Sequence, residues 1–426
     1  DLNAVGKHIG TPLHVAAYMG HRDVIELLLE YNAAINASSK IFGSMPFSSI
    51  WTSWAECTLV EIEETAIGCA IHKGYKEIVE ILLNHGAELN AQQTNLAFER
   101  TGYNGHKEIL EILLQCNAIK PQEHDLKTAF ISAAQKGHKN IVELLLKNNV
   151  NVNAQNEKFE TALEKAVDRN HKDIVEFLLE QGAIIDTRKS EFPRLFQQAA
   201  IYGHNKFIEI SLNHCINDLN KLTQYLKIGF SYATPSGHED VIEMLLKYSM
   251  QHAPANAHQE LFGIALNIAA KENQNNVIKL LLKYGADLNS EEEETQTALQ
   301  EAACYGYKDT VELLLLNNAN VNAQGSPFGT ALQAAVYMNH KAIIQLLFDY
   351  GADVNANKGD FGTALHIAAS DNYQDIIKLL IDHGADINAH DVYQRTPLQL
   401  AISEGHQDMA QLLIKYGADA SDVEMH

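Results

Sequence analysis

Histidine and cysteine, 20 and 5 of the 426 residues, carry most of the chemistry this chain could do, and their spacing decides what that chemistry could be. Eight of the histidines (His21, His106, His138, His171, His204, His238, His340 and His406) occupy the same place in a repeating pattern. A metal or catalytic site gathers different side chains at one point, whereas a residue repeated once per period serves the period. These histidines are therefore read as structural. His252 and His258 share an irregular stretch without a companion carboxylate or cysteine in ligand spacing. The cysteines (Cys57, Cys69, Cys116, Cys215 and Cys304) are odd in number and scattered, with no C-x-x-C pair. That pattern predicts free thiols in a reducing compartment, hence a cytoplasmic, intracellular location. The run Glu291–Glu294 reads as a solvated loop tip, since no Asp-x-Asp-x-Asp calcium pattern accompanies it. There is no glycine-rich phosphate loop and no nucleophile elbow. The expectation is a chain without catalytic residue, cofactor or metal: not an enzyme.

The period that places these residues is clearest at 363–395, "TALHIAASDNYQDIIKLLIDHGADINAHDVYQR". A short apolar run (Leu365, Ile367, Ala368, Ala369) precedes a turn at Asn372-Tyr373 and a second run (Ile376, Ile377, Leu379, Leu380, Ile381), then Gly384 and a polar segment. The second run marks a wide helical face rather than a strand alternation. Such a unit buries that face only between similar neighbours. Helix-opening positions are predicted at Thr11, Thr65, Leu96, Thr128, Thr161, Arg194, Ile228, Ile264, Thr297, Thr330, Thr363 and Thr396, with 33 the commonest spacing. Threonine suits an N-cap, and Pro12 and Pro397 suit the first helical turn. Five residues on, Ala occupies eleven of twelve places, Thr101 being the exception, so neighbouring helices can approach closely. Gly or Asn closes most second helices, as at Asn32, Gly86, Gly285 and Gly417, where a left-handed residue is needed. The prediction is an all-α solenoid of stacked helix–turn–helix units joined by polar loops.

Two stretches, "TPLHVAAYMGHRDVIELLLEYNAAINA" (11–37) and "TPLQLAISEGHQDMAQLLIKYGADA" (396–420), resemble ankyrin repeats, and the resemblance covers essentially all of residues 1–426 as a single array of twelve units. It implies antiparallel helix pairs, β-hairpin-like finger loops, a concave binding face, and protein–protein interaction without catalysis. The histidine of T-P-L-H stands only at His14 and His366; Gln197, Gln300, Gln333 and Gln399 replace it and could keep part of its hydrogen bonding. Repeat three has lost its Ala pair to Thr101-Gly102, and residues 187–262 lack the finger signature, so helices are expected there with altered connections. Carried over position by position, the contact residues before each inter-helix turn include Tyr18-Met19, Tyr103, Tyr202, Tyr305, Tyr337-Met338, Ser370-Asp371 and Ser403-Glu404. Tyrosine and methionine suit interface cores. Acidic finger tips at Glu294, Asp360 and Asp391 are expected to rim that face.

The longest spacing, 54 residues between the first two openings, marks an aromatic insertion in a finger at 38–60. It holds both tryptophans, Trp51 and Trp54. Such a loop is either an interface hot spot or an apolar segment folded back on repeats one and two. The formal charge of −22 argues against nucleic acid. Residues 285–426 hold 21 acidic and 6 basic residues, so a charged protein partner is expected to be basic and to meet this third. No run is long and apolar enough to predict a membrane span. Because "DLNA" (1–4) matches the tail of a unit such as "GADLNS" (285–290), the chain is expected to be a piece of a longer protein. Two further readings follow from that expectation. Units of the kind "FGTALQAAVYMNH" (328–340) resemble the arrays of fungal or other eukaryotic NTPase-type receptors, making this the ligand-sensing part of a signalling protein; or it belongs to another enzyme with a domain before Asp1.

Overall fold

The computed structural model describes residues 1–6, 10–42, 61–289, 296–325, 327–357 and 359–421. The chain divides into two compact units, Asp1–Lys189 and Ser190–His426. The first unit holds five helix pairs. They are α1 (Pro12–Met19) with α2 (Arg22–Glu30), α3 (Ala66–Lys73) with α4 (Lys76–Asn84), and α5 (Ala91–Asn104) with α6 (Lys107–Gln115). Then come α7 (Glu123–Lys136) with α8 (Lys139–Lys147), and α9 (Ala162–Asp168) with α10 (Lys172–Glu180). Its two strands, β1 (Ser39–Phe42) and β2 (Glu61–Glu64), pair antiparallel with Ser39 opposite Glu64.

The second unit holds seven pairs. The first three are α11 (Phe192–Tyr202) with α12 (Asn205–Cys215), α13 (Leu219–Ala233) with α14 (Glu239–His252), and α15 (Ala255–Lys271) with α16 (Asn275–Lys283). The other four are α17 (Ala298–Cys304) with α18 (Lys308–Leu316), α19 (Ala331–Tyr337) with α20 (Lys341–Asp349), α21 (Ala364–Ser370) with α22 (Gln374–Asp382), and α23 (Pro397–Ser403) with α24 (Gln407–Lys415).

Local chemistry explains most of these boundaries. Seven first helices open at the predicted threonine, with extended φ/ψ at the cap. At Thr297 and Thr330 the hydroxyl accepts the Gln300 or Gln333 N–H, and the glutamine Oε1 accepts the threonine N–H in return. Two of the orphan donors of the first turn are satisfied by each box. The inter-helix turn needs one left-handed residue, and glycine or asparagine supplies it in all twelve described pairs, from Gly20 to Gly405.

Five first helices begin earlier than the predicted openings. Leu96 and Thr128 lie inside α5 and α7, whose caps are Asn90 and Gln122. Arg194, Ile228 and Ile264 lie inside α11, α13 and α15. Four of these five residues have no side chain that could cap a helix. The fifth, Thr128, donates its hydroxyl to the His124 carbonyl within α7. Without a cap the helix runs back to the next residue that offers one, such as Asn90 or Asp218.

The core of each unit is a double layer. Second helices bury residues such as Ile343, Ile344 and Leu347 of α20, and first helices bury the alanine pair, as at Ala334-Ala335 and Ala368-Ala369. Three kinds of polar ladder tie successive repeats together over much of the described chain. In the finger ladder Asn322 donates Nδ2–H to the Gly351 carbonyl (3.2 Å) and accepts the Asp353 N–H (2.8 Å), and Asn36, Asn153, Asn289 and Asn355 repeat the pattern. In the cap ladder Gln300 Nε2 donates to the Gly329 carbonyl (2.7 Å) and His366 Nε2 to the Arg395 carbonyl (2.9 Å). The glutamines at 300 and 333 thus keep the histidine's bond to the capping threonine N–H and its bond to the carbonyl of the next repeat. In the turn ladder the recurring histidines reach back one repeat: His138 to the Tyr103 carbonyl (3.0 Å), His171 to Gln135 (3.0 Å), His340 to Cys304 (3.1 Å) and His406 to Ser370 (2.9 Å). That placement makes them structural.

The cap histidines make stability depend on pH. Burial, outweighing their hydrogen bonds, holds His14 and His366 below the usual imidazole value of 6.5. Burial and the neighbouring Arg100 push His72 down to about 4. The unfolded chain therefore binds protons that the folded chain refuses, and stability falls as pH drops from about 6.5 towards 4. Half-buried Glu99 and Glu301, and Asp371, whose carboxyls desolvation pushes up, act in the opposite sense at the acid end. Thermal midpoints should decline between pH 7 and 5. Replacing His14 and His366 by glutamine, the chain's own alternative, should flatten that slope without lowering the midpoint at pH 7.5. A flat or rising midpoint in the unmodified chain would contradict this account.

Candidate protein-interaction face

In the second unit the first helices and the finger tips share one face. The finger before α19 is closed by reciprocal backbone bonds between Gly325 and Gly329 (2.8 and 2.9 Å). The next finger lies directly against it: the Asp360 N–H donates to the Pro327 carbonyl at 3.2 Å. Gly359 permits that approach, because a Cβ there would stand 2.7 Å from the Gly329 nitrogen and the Pro327 oxygen. Side by side, the two fingers bring Phe328 and Phe361 together with ring centroids 6.0 Å apart. Tyr337, at the end of α19, completes the cluster at 5.1 Å from Phe328 and 5.3 Å from Phe361. Beside it Tyr305 and Met338 are 46% and 44% exposed, and the Tyr305 ring stacks on Tyr307 at 6.1 Å. The result is an aromatic shelf whose rings are only partly covered.

Asp360, Asp371 and Glu404 are exposed. Burial, and the nearby Glu404 charge, raise the Asp371 carboxyl while His406 lowers it. Asp391 differs from the expectation. It is 4% exposed and does not rim the face. Its Oδ1 accepts the N–H groups of Tyr393 (2.9 Å) and Arg395 (2.8 Å), and its Oδ2 pairs with the Arg395 guanidinium (2.8 Å). A short acceptor opening a tight turn is drawn inward by its own backbone. Tyr202 is half-buried and packs edge-on against His204 at 6.1 Å, apart from the shelf. In the first unit the corresponding tyrosines are covered by cations, Tyr18 by Lys73 (4.1 Å) and Tyr103 by Lys136 (4.2 Å). Ser370 is half-buried and Ser403 exposed. Trp51, Trp54 and Glu294 lie outside the described residues.

Phe328 and Phe361 were not among the candidates read from the sequence. The signal was present in the repeated "FGTAL" at 328–332 and 361–365. Each phenylalanine stands two places before a capping threonine, where the stack itself needs no aromatic side chain.

Among the described residues no group of three or more His, Cys, Asp or Glu could hold a metal ion, and no helix is long and apolar enough to cross a membrane. Cys69, Cys116, Cys215 and Cys304 are free thiols. The architecture thus defines a repeat solenoid whose variable side chains lie on an exposed face. A family model of ankyrin repeats in triple copies matches residues 97–189, 230–325, 266–358 and 356–423, and a single ankyrin-repeat model matches 10–40 and 63–93. The chain belongs to the ankyrin-repeat family. Ankyrin repeats are generally protein–protein interaction modules and typically carry no catalysis. Residues 190–229, outside every match, comprise α11, α12 and most of α13.

Proposed function

We propose that this chain is a non-catalytic scaffold that binds a protein through the finger-side face of its second unit, and that the partner presents a basic surface. The observation that carries the reading is the shelf of Phe328, Tyr337 and Phe361 with the exposed Tyr305 and Met338. Half-covered aromatic rings on rigid elements are the usual anchors of an interface. Acidic Asp360 and Asp371 stand on the shelf's repeats and Glu404 on the repeat after them, within a segment rich in acidic residues. They suit cationic side chains at the rim, where charge steers association more than it adds affinity.

Affinity capture with the intact chain would recover the partner, and titration would then quantify each side chain. Tyr337→Ala should weaken binding by about 2 kcal/mol, roughly thirty-fold, with little change in thermal midpoint. Asp371→Asn combined with Glu404→Gln should slow association and reduce its salt dependence. A partner that binds the Tyr337→Ala and Phe361→Ala chains as tightly as the original would sink the proposal.

A further inference from the structure

The first unit holds an open cleft of about 210 Å³, lined by polar residues of α5, of α7 and of the finger before α9. The second-unit face makes no use of it, and three observations give it a ligand.

The finger is built to be rigid. Asn156 Oδ1 accepts the N–H groups of Lys158 and Glu160 (2.9 Å each), and Nδ2 donates to the Glu160 carboxylate (3.0 Å). The Asn156 N–H donates to the Glu160 carbonyl (3.0 Å), and Lys189 Nζ donates to the Phe159 carbonyl (2.6 Å).

The finger also displays a side chain that it does not need. Asn156–Glu160 and Asp391–Arg395 form the same turn, each with one left-handed residue, Phe159 (φ 59°) and Gln394 (φ 63°). A polar residue satisfies the turn at 394. At 159 the chain instead holds phenylalanine in a conformation unfavourable for a bulky residue, with 71% of it exposed. Neither backbone nor core explains that choice.

The third observation is Glu99, which is half-buried in the cleft and has no ion pair or hydrogen bond among the described residues. Its chain neighbour Arg100 is engaged by Glu64, and the cleft's Glu160 is paired with Lys165 at 2.8 Å. Burial outweighs the nearby Arg100 and His124 charges and pushes the Glu99 carboxyl up. Lys127 and Lys158, also lining the cleft, offer donors to carbonyl oxygens. A cation for Glu99 and a row of carbonyls for the lysines occur together on a polypeptide.

We propose that this cleft takes an extended segment of another polypeptide, with an arginine or lysine side chain on Glu99, its carbonyls facing Lys127 and Lys158, and Phe159 packed over it. The site is independent of the second-unit face. Ile131, which lines the cleft, and Met338, on the other face, are separate reporters in a methyl-labelled full chain. The probe is a pool of acetylated, amidated hexapeptides with arginine fixed at the third place, compared with the same pool carrying neutral citrulline.

The arginine pool should shift the Ile131 methyl at about ten-fold lower concentration than the citrulline pool, since a hydrogen bond to a charged group separates them. Glu99→Gln should abolish that preference while keeping or raising the thermal midpoint. Phe159→Gly should raise the midpoint by relieving the backbone and still weaken peptide binding. An Ile131 methyl that does not move at millimolar pool, or moves equally for both pools, overturns the proposal. So does a preference retained by Glu99→Gln, and a shift at Met338 alone would do the same while supporting the other face. Unchanged binding by Phe159→Gly overturns the part given to Phe159.

Discussion

Replacing Arg100 by methionine should destabilise the first unit by about 3–5 kcal/mol, the usual cost of leaving a buried charge without its partner. The charge left behind is Glu64, at the end of β2. Both residues are below 9% exposed, and the Arg100 guanidinium pairs with the Glu64 carboxylate and donates to the Gly68 carbonyl at 3.2 Å. Glu64 also accepts the Thr65 N–H at 3.3 Å. Gly68 belongs to the arrangement, because a Cβ there would fall 1.8 Å from Glu64 Oε1. The pair joins the hairpin β1–β2 to α5. Burial and the Glu64 charge also push the adjacent Cys69 thiol up to about 12, which leaves it unreactive. If the cost comes from the orphaned charge, replacing Glu64 and Arg100 together by methionine should return most of the lost stability, because well-packed apolar side chains often equal a buried pair. Denaturant unfolding of the single and double variants decides it. A double variant no better than the single would mean that the pair's hydrogen bonds matter more than its charge.

Phe196→Ala should cost the second unit about 3–5 kcal/mol through a large cavity. Phe196 is fully buried, 5.1 Å from Tyr225 and 6.1 Å from Phe192, and Phe192 is in turn 5.1 Å from Tyr225 and 6.4 Å from Phe207. These rings fill the segment where no finger asparagine or threonine capping box is found among the described residues. Aromatic burial takes over there from the finger and cap ladders, while the turn ladder persists in His238, which reaches the Ile201 carbonyl at 2.7 Å. Because repeats interact mainly with their neighbours, amide exchange should accelerate in α11–α13 much more than in α19–α22. An even increase across the unit, or a cost below about 1 kcal/mol, would contradict the assignment.

The division between sequence and tertiary structure follows the range of the forces involved. Threonine caps, alanine at the close approach and glycine or asparagine in the turns act within a few residues of themselves. They spell out the helix pairs, and their period spells out the stack. Tyr305, Tyr337 and Met338 were legible as candidates because they stand just before the inter-helix turn, where ankyrin repeats make their contacts. What a side chain meets one repeat away was not legible. Leu96 and Thr128 fall inside helices because caps existed further back, at Asn90 and Gln122. Asp391 reads as an exposed acid, yet its own turn folds it inward. Phe328 and Phe361 become a shelf only when Gly359 lets their fingers touch. Glu99 is left without an ion pair among the described residues in its cleft while Arg100, its neighbour in the chain, pairs with Glu64. The sequence by itself determined the repeat and its caps, which need only near neighbours in the chain. The tertiary structure decided which charges and rings face one another, because those distances are set by how successive repeats pack.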